Sequence, residues 1–155
     1  MSYISERTQP ILMANMVAGT SYTVANSASV NLATYQADSL FVVATILAST
    51  GTGFTMTAQG GATTSALGAY CAVPGSTATL VTCATTVTGG KVLYIDMKNV
   101  PHQYVGVKHT GLGAVSGSIV GYPYDSKLQV VPMSADLAST VSGAGPYVIV
   151  NPTTA

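Results

Sequence analysis

Ionised side chains are scarce in this chain: 6% of its residues are charged, five basic and five acidic, where an ordinary soluble domain carries about 25%. With no excess of lysine or arginine there is no electrostatic footprint for a phosphate backbone, which argues against nucleic acid as a direct ligand. Tryptophan is absent and phenylalanine occurs twice, so the usual indole platform for stacking a sugar is missing. No apolar run approaches the roughly 20 residues that cross a bilayer as a helix, and the longest, Leu40 to Ala48, contains Thr45. No membrane partner is expected. Ile11 to Gly19 is interrupted by Asn15, and Glu6 spoils a basic leader ahead of it, so synthesis in the cytoplasm is the expectation. The lack of an Asn-X-Ser/Thr acceptor, Asn151 being followed by Pro152, agrees with that.

Reactive groups are equally few. Two histidines, His102 and His109, and two cysteines, Cys71 and Cys83, cannot furnish the four ligands of a structural zinc site. If 69–73 and 79–85 form a hairpin around Pro74-Gly75-Ser76-Thr77, the thiols face each other and a disulfide is conceivable; buried reduced cysteines are the other reading. His102 lies in a Pro101 turn and His109 at a strand end beside Lys108, and both are expected as surface or turn residues rather than as ligands or bases. Gly51-Thr52-Gly53 and Gly111-Leu112-Gly113 lack the third glycine and following helix of a dinucleotide site and read as turns. There is no Gly-X-Ser-X-Gly elbow and no run of carboxylates for calcium. Neither an enzyme nor a cofactor is expected.

What the chain does contain is strand pattern. Val92 to Met97 alternates Leu93, Ile95 and Met97 against Val92, Tyr94 and Asp96, and Gln103 to His109 alternates Val105 and Val107 against Tyr104, Gly106 and Lys108. Asn99 to His102, with Pro101, reads as a hairpin connection between them. With Ser116 to Tyr122 the stretch reads as three consecutive antiparallel strands. Asp38 to Ala48 is apolar throughout and rich in β-branched residues, as a fully buried strand would be, and Phe54 to Thr57 reads as its hairpin mate. Ser21 to Val24 and Ser29 to Ala33 read as short strands about an Asn26-Ser27 turn, Tyr147 to Val150 as the last strand, and 135–141 as at most two helical turns.

Nine or ten strands separated by frequent turn signals predict an all-β, single-domain antiparallel β-sandwich or barrel of jelly-roll or immunoglobulin-like type over residues 16–155. An extended N-terminal arm is expected over residues 1–15, either docking on a neighbour or fraying. At 155 residues the chain can bury roughly two-thirds of its unfolded surface without disulfides or metal. A surface covered by Ser, Thr, Asn and Gly instead of charge supplies little repulsion between molecules, so association is expected. Tyrosine, present nine times, favours interfaces because its ring is amphipathic. Candidate interface residues are Tyr3, Ile4 and Arg7 in the arm, and Tyr122 and Tyr124 about Pro123.

Asp38-Ser39-Leu40-Phe41-Val42-Val43-Ala44-Thr45 is followed, further along, by Leu93-Tyr94-Ile95-Asp96, by Gln103 to Thr110 after a turn, and by Ser118 to Pro123. In that order these elements resemble a family of small tailed-phage virion proteins known as capsid cement, decoration or minor structural proteins. The likeness covers residues 38 to 124, and Gln103 stands where the family commonly has a basic residue. It implies an all-β structural protein of a bacteriophage virion without enzymatic activity. It further implies a homotrimer seated between capsomers on the capsid surface, with the major capsid protein and other copies of itself as partners. Two other roles fit the residues: a receptor- or glycan-binding module of a tail fibre or spike, and another virion subunit of the tail tube or head completion.

Overall fold

The computed structural model describes residues 9–17, 25–50, 54–65, 67–69, 80–83, 90–97, 99–111, 113–125 and 147–150, the backbone alone for 25–26, 68–69, 80–83 and 147–150. In chain order the strands are β1 (Ile11–Met16), β2 (Ala25–Asn26), β3 (Val30–Asn31), β4 (Ser39–Ser49), β5 (Phe54–Gly61), β6 (Gly68–Ala69), β7 (Leu80–Cys83), β8 (Lys91–Met97), β9 (Tyr104–Gly111), β10 (Val115–Tyr124) and β11 (Tyr147–Val150). They form two sheets. One has five strands in the order β1-β10-β4-β8-β11; the other runs β2-β9-β5-β6, with β3 also on β9 and β7 also on β5. All pairings are antiparallel except β11 on β8. The expected all-β sandwich is what the chain forms.

Alternation creates the interior. Leu40, Val42, Ala44 and Ile46 of β4, with Leu93, Ile95 and Met97 of β8, point inward and are fully buried. They join Met56 and Ala58 of β5 and Val105 and Val107 of β9 in one apolar cluster. Each such Leu, Val, Ile or Met side chain contributes about 1.5–3 kcal/mol relative to exposure, so this shared interior is the main force holding the sheets face to face.

The strand partners correct the expected hairpins. β4 and β5 lie in different sheets, as do β8 and β9, and then β9 and β10. β4 pairs with β10 and β8, while β5 pairs with β9. Alternation and turn residues specify that the chain reverses; they do not say whether it returns to its own sheet or steps across the roughly 10 Å to the other. Both strands of each supposed hairpin have an apolar face to bury, and crossing between sheets buries both. β6 and β7, expected to lie on the two arms of a cysteine hairpin, both pair with β5, at Gln59–Gly60 and at Phe54–Thr57 respectively. Cys71 lies outside the described residues.

Two smaller expectations change as well. Among the described residues the first strand is β1, which pairs with β10, so the boundary expected at residue 15 falls inside a sheet strand; residues 1–8 are outside the described ones. Ser29 to Ala33 is not one strand: after β3 the chain makes a 3-10 turn at Leu32–Tyr35, capped by Asn31 Oδ1 accepting from Ala33 N at 3.1 Å and ended by Gln36 at φ 51°. That turn carries Leu32 into the core. The Asn26-Ser27 turn is instead a break between β2 and β3, and 21–24 and 135–141 lie outside the described residues. At this break Ser27 N donates to Val107 O at 2.8 Å and Ser27 Oγ accepts from Val107 N at 3.0 Å. The next amide, Ala28 N, donates to Met13 O at 2.8 Å, across to the other sheet. Met13 sits at the register shift of β1, and its carbonyl, bonded to Ala28 N, is occupied at this point of the sheet edge.

Gly117 marks a second irregularity. The β10–β4 register shifts between Ser116 and Gly117, where φ is +155° and an added Cβ would lie 2.0 Å from the carbonyl oxygen of Thr45. Only glycine lets these backbones approach. Gly117→Ala is expected to lower the unfolding free energy by about 2 kcal/mol or more. Ser118→Ala, one residue on and facing outward, should stay within about 0.5 kcal/mol. Urea unfolding monitored by tyrosine fluorescence measures both.

Candidate interaction surface

The outward side of the five-stranded sheet gathers the sequence's candidate residues that the structure describes. Register places Leu12, Val120, Val43 and Tyr94 in one cross-strand row, and Tyr122, Phe41 and Asp96 in the next. The Phe41 ring lies 5.6 Å from that of Tyr94 and 6.3 Å from that of Tyr122, tilted by 50° and 40°. These separations are those of tilted aromatic pairs, which add about 0.5–1.5 kcal/mol beyond area burial. Phe41, Val43, Val120 and Tyr122 are each half-buried. Leu12, Leu47 and Val17 are 62%, 61% and 59% exposed. One carboxylate, Asp96, interrupts the two rows.

β4 was expected to be buried on both faces, and the structure corrects this. Phe41, Val43 and Thr45 face outward half-buried, and Leu47 and Ala48 are exposed. A strand apolar on both faces reads like a fully buried one, so periodicity carried no signal for Phe41 as a surface ring. Alternation with Leu93 and Ile95 puts Tyr94 on the face away from the shared core, and it lies there, covered to 6% exposure.

At the end of this sheet a polar cluster ties three elements together. Tyr124 Oη donates to Asp96 Oδ1 at 2.5 Å, joining β10 to β8 across β4. Ser39 Oγ donates to Asp38 Oδ1 at 2.6 Å and accepts from Asn99 N at 3.1 Å. Asp38 O accepts from Val100 N at 2.8 Å and Asp38 N donates to Tyr124 O at 3.3 Å. Burial raises the Tyr124 phenol far above its ordinary value of 10.0, and the hydrogen bond to Asp96 and that carboxylate's charge raise it further. Tyr124 is thereby a fastening within the sheet, and Tyr122 is the tyrosine of the pair with its ring in the aromatic row. Tyr3, Ile4 and Arg7 lie outside the described residues.

The histidines part company. His102 sits half-buried in the turn, its ring over Gly60, where an added Cβ would come within 2.4 Å of Cδ2. His109 corrects the surface expectation: it is 2% exposed, faces inward from β9 and lies 6.2 Å ring to ring from Phe54. Its position two residues beyond the inward Val107 was the available signal, overridden by the residue's polarity. Among the described residues no three His, Cys, Asp or Glu side chains converge to hold a metal ion, and no helix is long and apolar enough to cross a membrane. Compared with models of protein families, with curated proteins and with solved structures, the chain matches none.

Tyr124→Phe is expected to cost about 1.5 kcal/mol, the worth of one hydrogen bond to a charged acceptor. The folded phenol ionises well above the unfolded one, so its contribution is complete below about pH 10 and is lost as pH rises beyond it. The wild type should therefore lose stability above about pH 10 more steeply than the variant, as unfolding midpoints between pH 8 and 11 will measure.

Proposed function

We propose that the protein is a structural subunit of a bacteriophage virion, a capsid cement or decoration protein that binds the outer capsid surface between capsomers as a homotrimer and stabilises the head. The observation that supports it best is the character of the surface. Two rows of apolar and aromatic side chains, the exposed Leu12 among them, carry a single carboxylate on a sheet built of Ser, Thr and β-branched residues, and Leu47 of β4 is exposed as well. Such a surface carries little charge to hold copies or partners apart, and it suits lasting contact with other protein. The order of motifs from Asp38 to Pro123 points the same way by resemblance. Many copies on one shell make weak individual contacts sufficient, because each bound subunit adds to the stabilisation of the lattice.

A second reading, a glycan- or receptor-binding module of a tail fibre, is favoured by the adjacent half-buried rings of Phe41 and Tyr122. The two separate in one experiment. Purified protein is run by size exclusion with and without empty heads of the virus that encodes it, and by native mass spectrometry alone. Co-migration with heads and a trimeric mass are expected; a monomer that never co-migrates overturns the proposal. Binding to a glycan array by that monomer supports the second reading.

A further inference from the structure

β11 holds an odd place in the five-stranded sheet. β10 is antiparallel to β4 and β4 to β8, whereas β11 runs parallel to β8. β10 and β11 therefore point the same way in one sheet, with β4 and β8 between them. Register sets Tyr147 level with Tyr94, Val43 and Val120. The end of β10 at Tyr124 and the start of β11 are then about 20 Å apart, across the intervening strands and back along them. Residues 125–146 make the join, and a stretch of that length reaches roughly 75 Å when extended. Such a tether does not by itself require β11 to lie on the β8 of its own chain. Parallel strands of one sheet are joined by a crossover on one of its faces, and the inward face here is filled by the side chains of the other sheet. On the outward face Phe41 and Val43 of β4 and Val120 and Tyr122 of β10 are half-buried rather than enclosed, while Tyr94 of β8 is covered. The seat itself is backbone: Tyr147 to Val150 meet Tyr94 to Met97 residue for residue, and none of the four residues of β11 carries a charge.

We propose that in the associated protein β11 of each copy seats on β8 of a neighbouring copy, so that the five-stranded sheet is completed across copies. A single copy closes on itself through the same ladder, and exchange between identical copies replaces each contact with its equal. The balance is then set by effective concentration. For a tethered strand this is millimolar when the tether is short and falls roughly as the −3/2 power of its length, a level that copies packed side by side match. The β8 edge is thus a docking groove whose occupant is the Tyr147–Val150 strand of a second copy. The inference rests on the association of copies in the proposed function, and not on where the assembly is bound.

Cross-linking between copies tests this, because Tyr94 and Tyr147 are register partners and adjacent strands lie within disulfide reach. Full-length chains carrying Tyr94→Cys or Tyr147→Cys, one of them tagged and both with Cys71→Ala and Cys83→Ala, are unfolded, mixed, refolded and oxidised. A mixed disulfide dimer is expected, about tenfold or more above a control with Val92→Cys in place of Tyr94→Cys. Mixed dimer no greater than the control, with the double variant on one chain oxidising only within that chain, overturns the proposal. Should the cysteine variants fail to fold, wild type decides: nitrogen-15 and carbon-13 labelled copies are refolded together and isotope-filtered contacts are recorded by nuclear magnetic resonance. Contacts from amides 94–97 of one label to α-protons 147–150 of the other are the expected result; contacts within one label alone overturn it. The mass of the sample by sedimentation separates the two failures. An associated protein with β11 on its own β8 overturns exchange alone, whereas a chain that stays monomeric at millimolar concentration overturns the association as well.

Discussion

The constraint on which the rest of the molecule depends is the closure of β4 between β10 and β8. Ten residues of β4 are matched along β10 and seven along β8, and the side chains it turns inward are fully shielded from water. A chain with 6% charged residues has few ion pairs to define its register. Its register is defined by which face is apolar and by where the backbone can come close. Gly117 provides the close approach on one side, and the Tyr124 to Asp96 hydrogen bond spans the strand at its far end. The second sheet is fitted to this frame by burial, and the Ser27-Ala28 break stitches the two at one edge.

Much of this was legible in the residues. The inward sets Leu93, Ile95, Met97 and Val105, Val107 follow directly from period-2 alternation, and the all-β class follows from many such runs. The pairing of strands was not legible, because a turn such as Asn99 to His102 looks the same whether the chain reverses within a sheet or steps to the facing one. The outward role of Phe41 was hidden for a related reason: β4 is apolar on both faces, so its sequence alone resembles a strand buried on both. His109 reads as a surface residue by type, whereas its place in the alternation of β9, two residues beyond Val107, puts it inside.

On the outside, the same economy of charge shapes what the protein can do. Aliphatic and aromatic rows on one sheet, held by ladders on both sides, offer an area of contact. The proposed place in a virus shell uses this directly, since a weakly charged surface costs little to desolvate and supplies little repulsion between copies. The bulge at Met13, with its carbonyl bonded to Ala28, limits one route to uncontrolled strand addition at the β1 edge.

The most direct measurement of the central claim is a reconstruction of the assembled particle by electron cryomicroscopy. Under the proposed function, two-sheet density repeated between capsomers on the outer shell is expected, with the outward face of β1, β10, β4 and β8 against its neighbours. A shell without such density, in particles known to contain the chain by mass spectrometry, would contradict it.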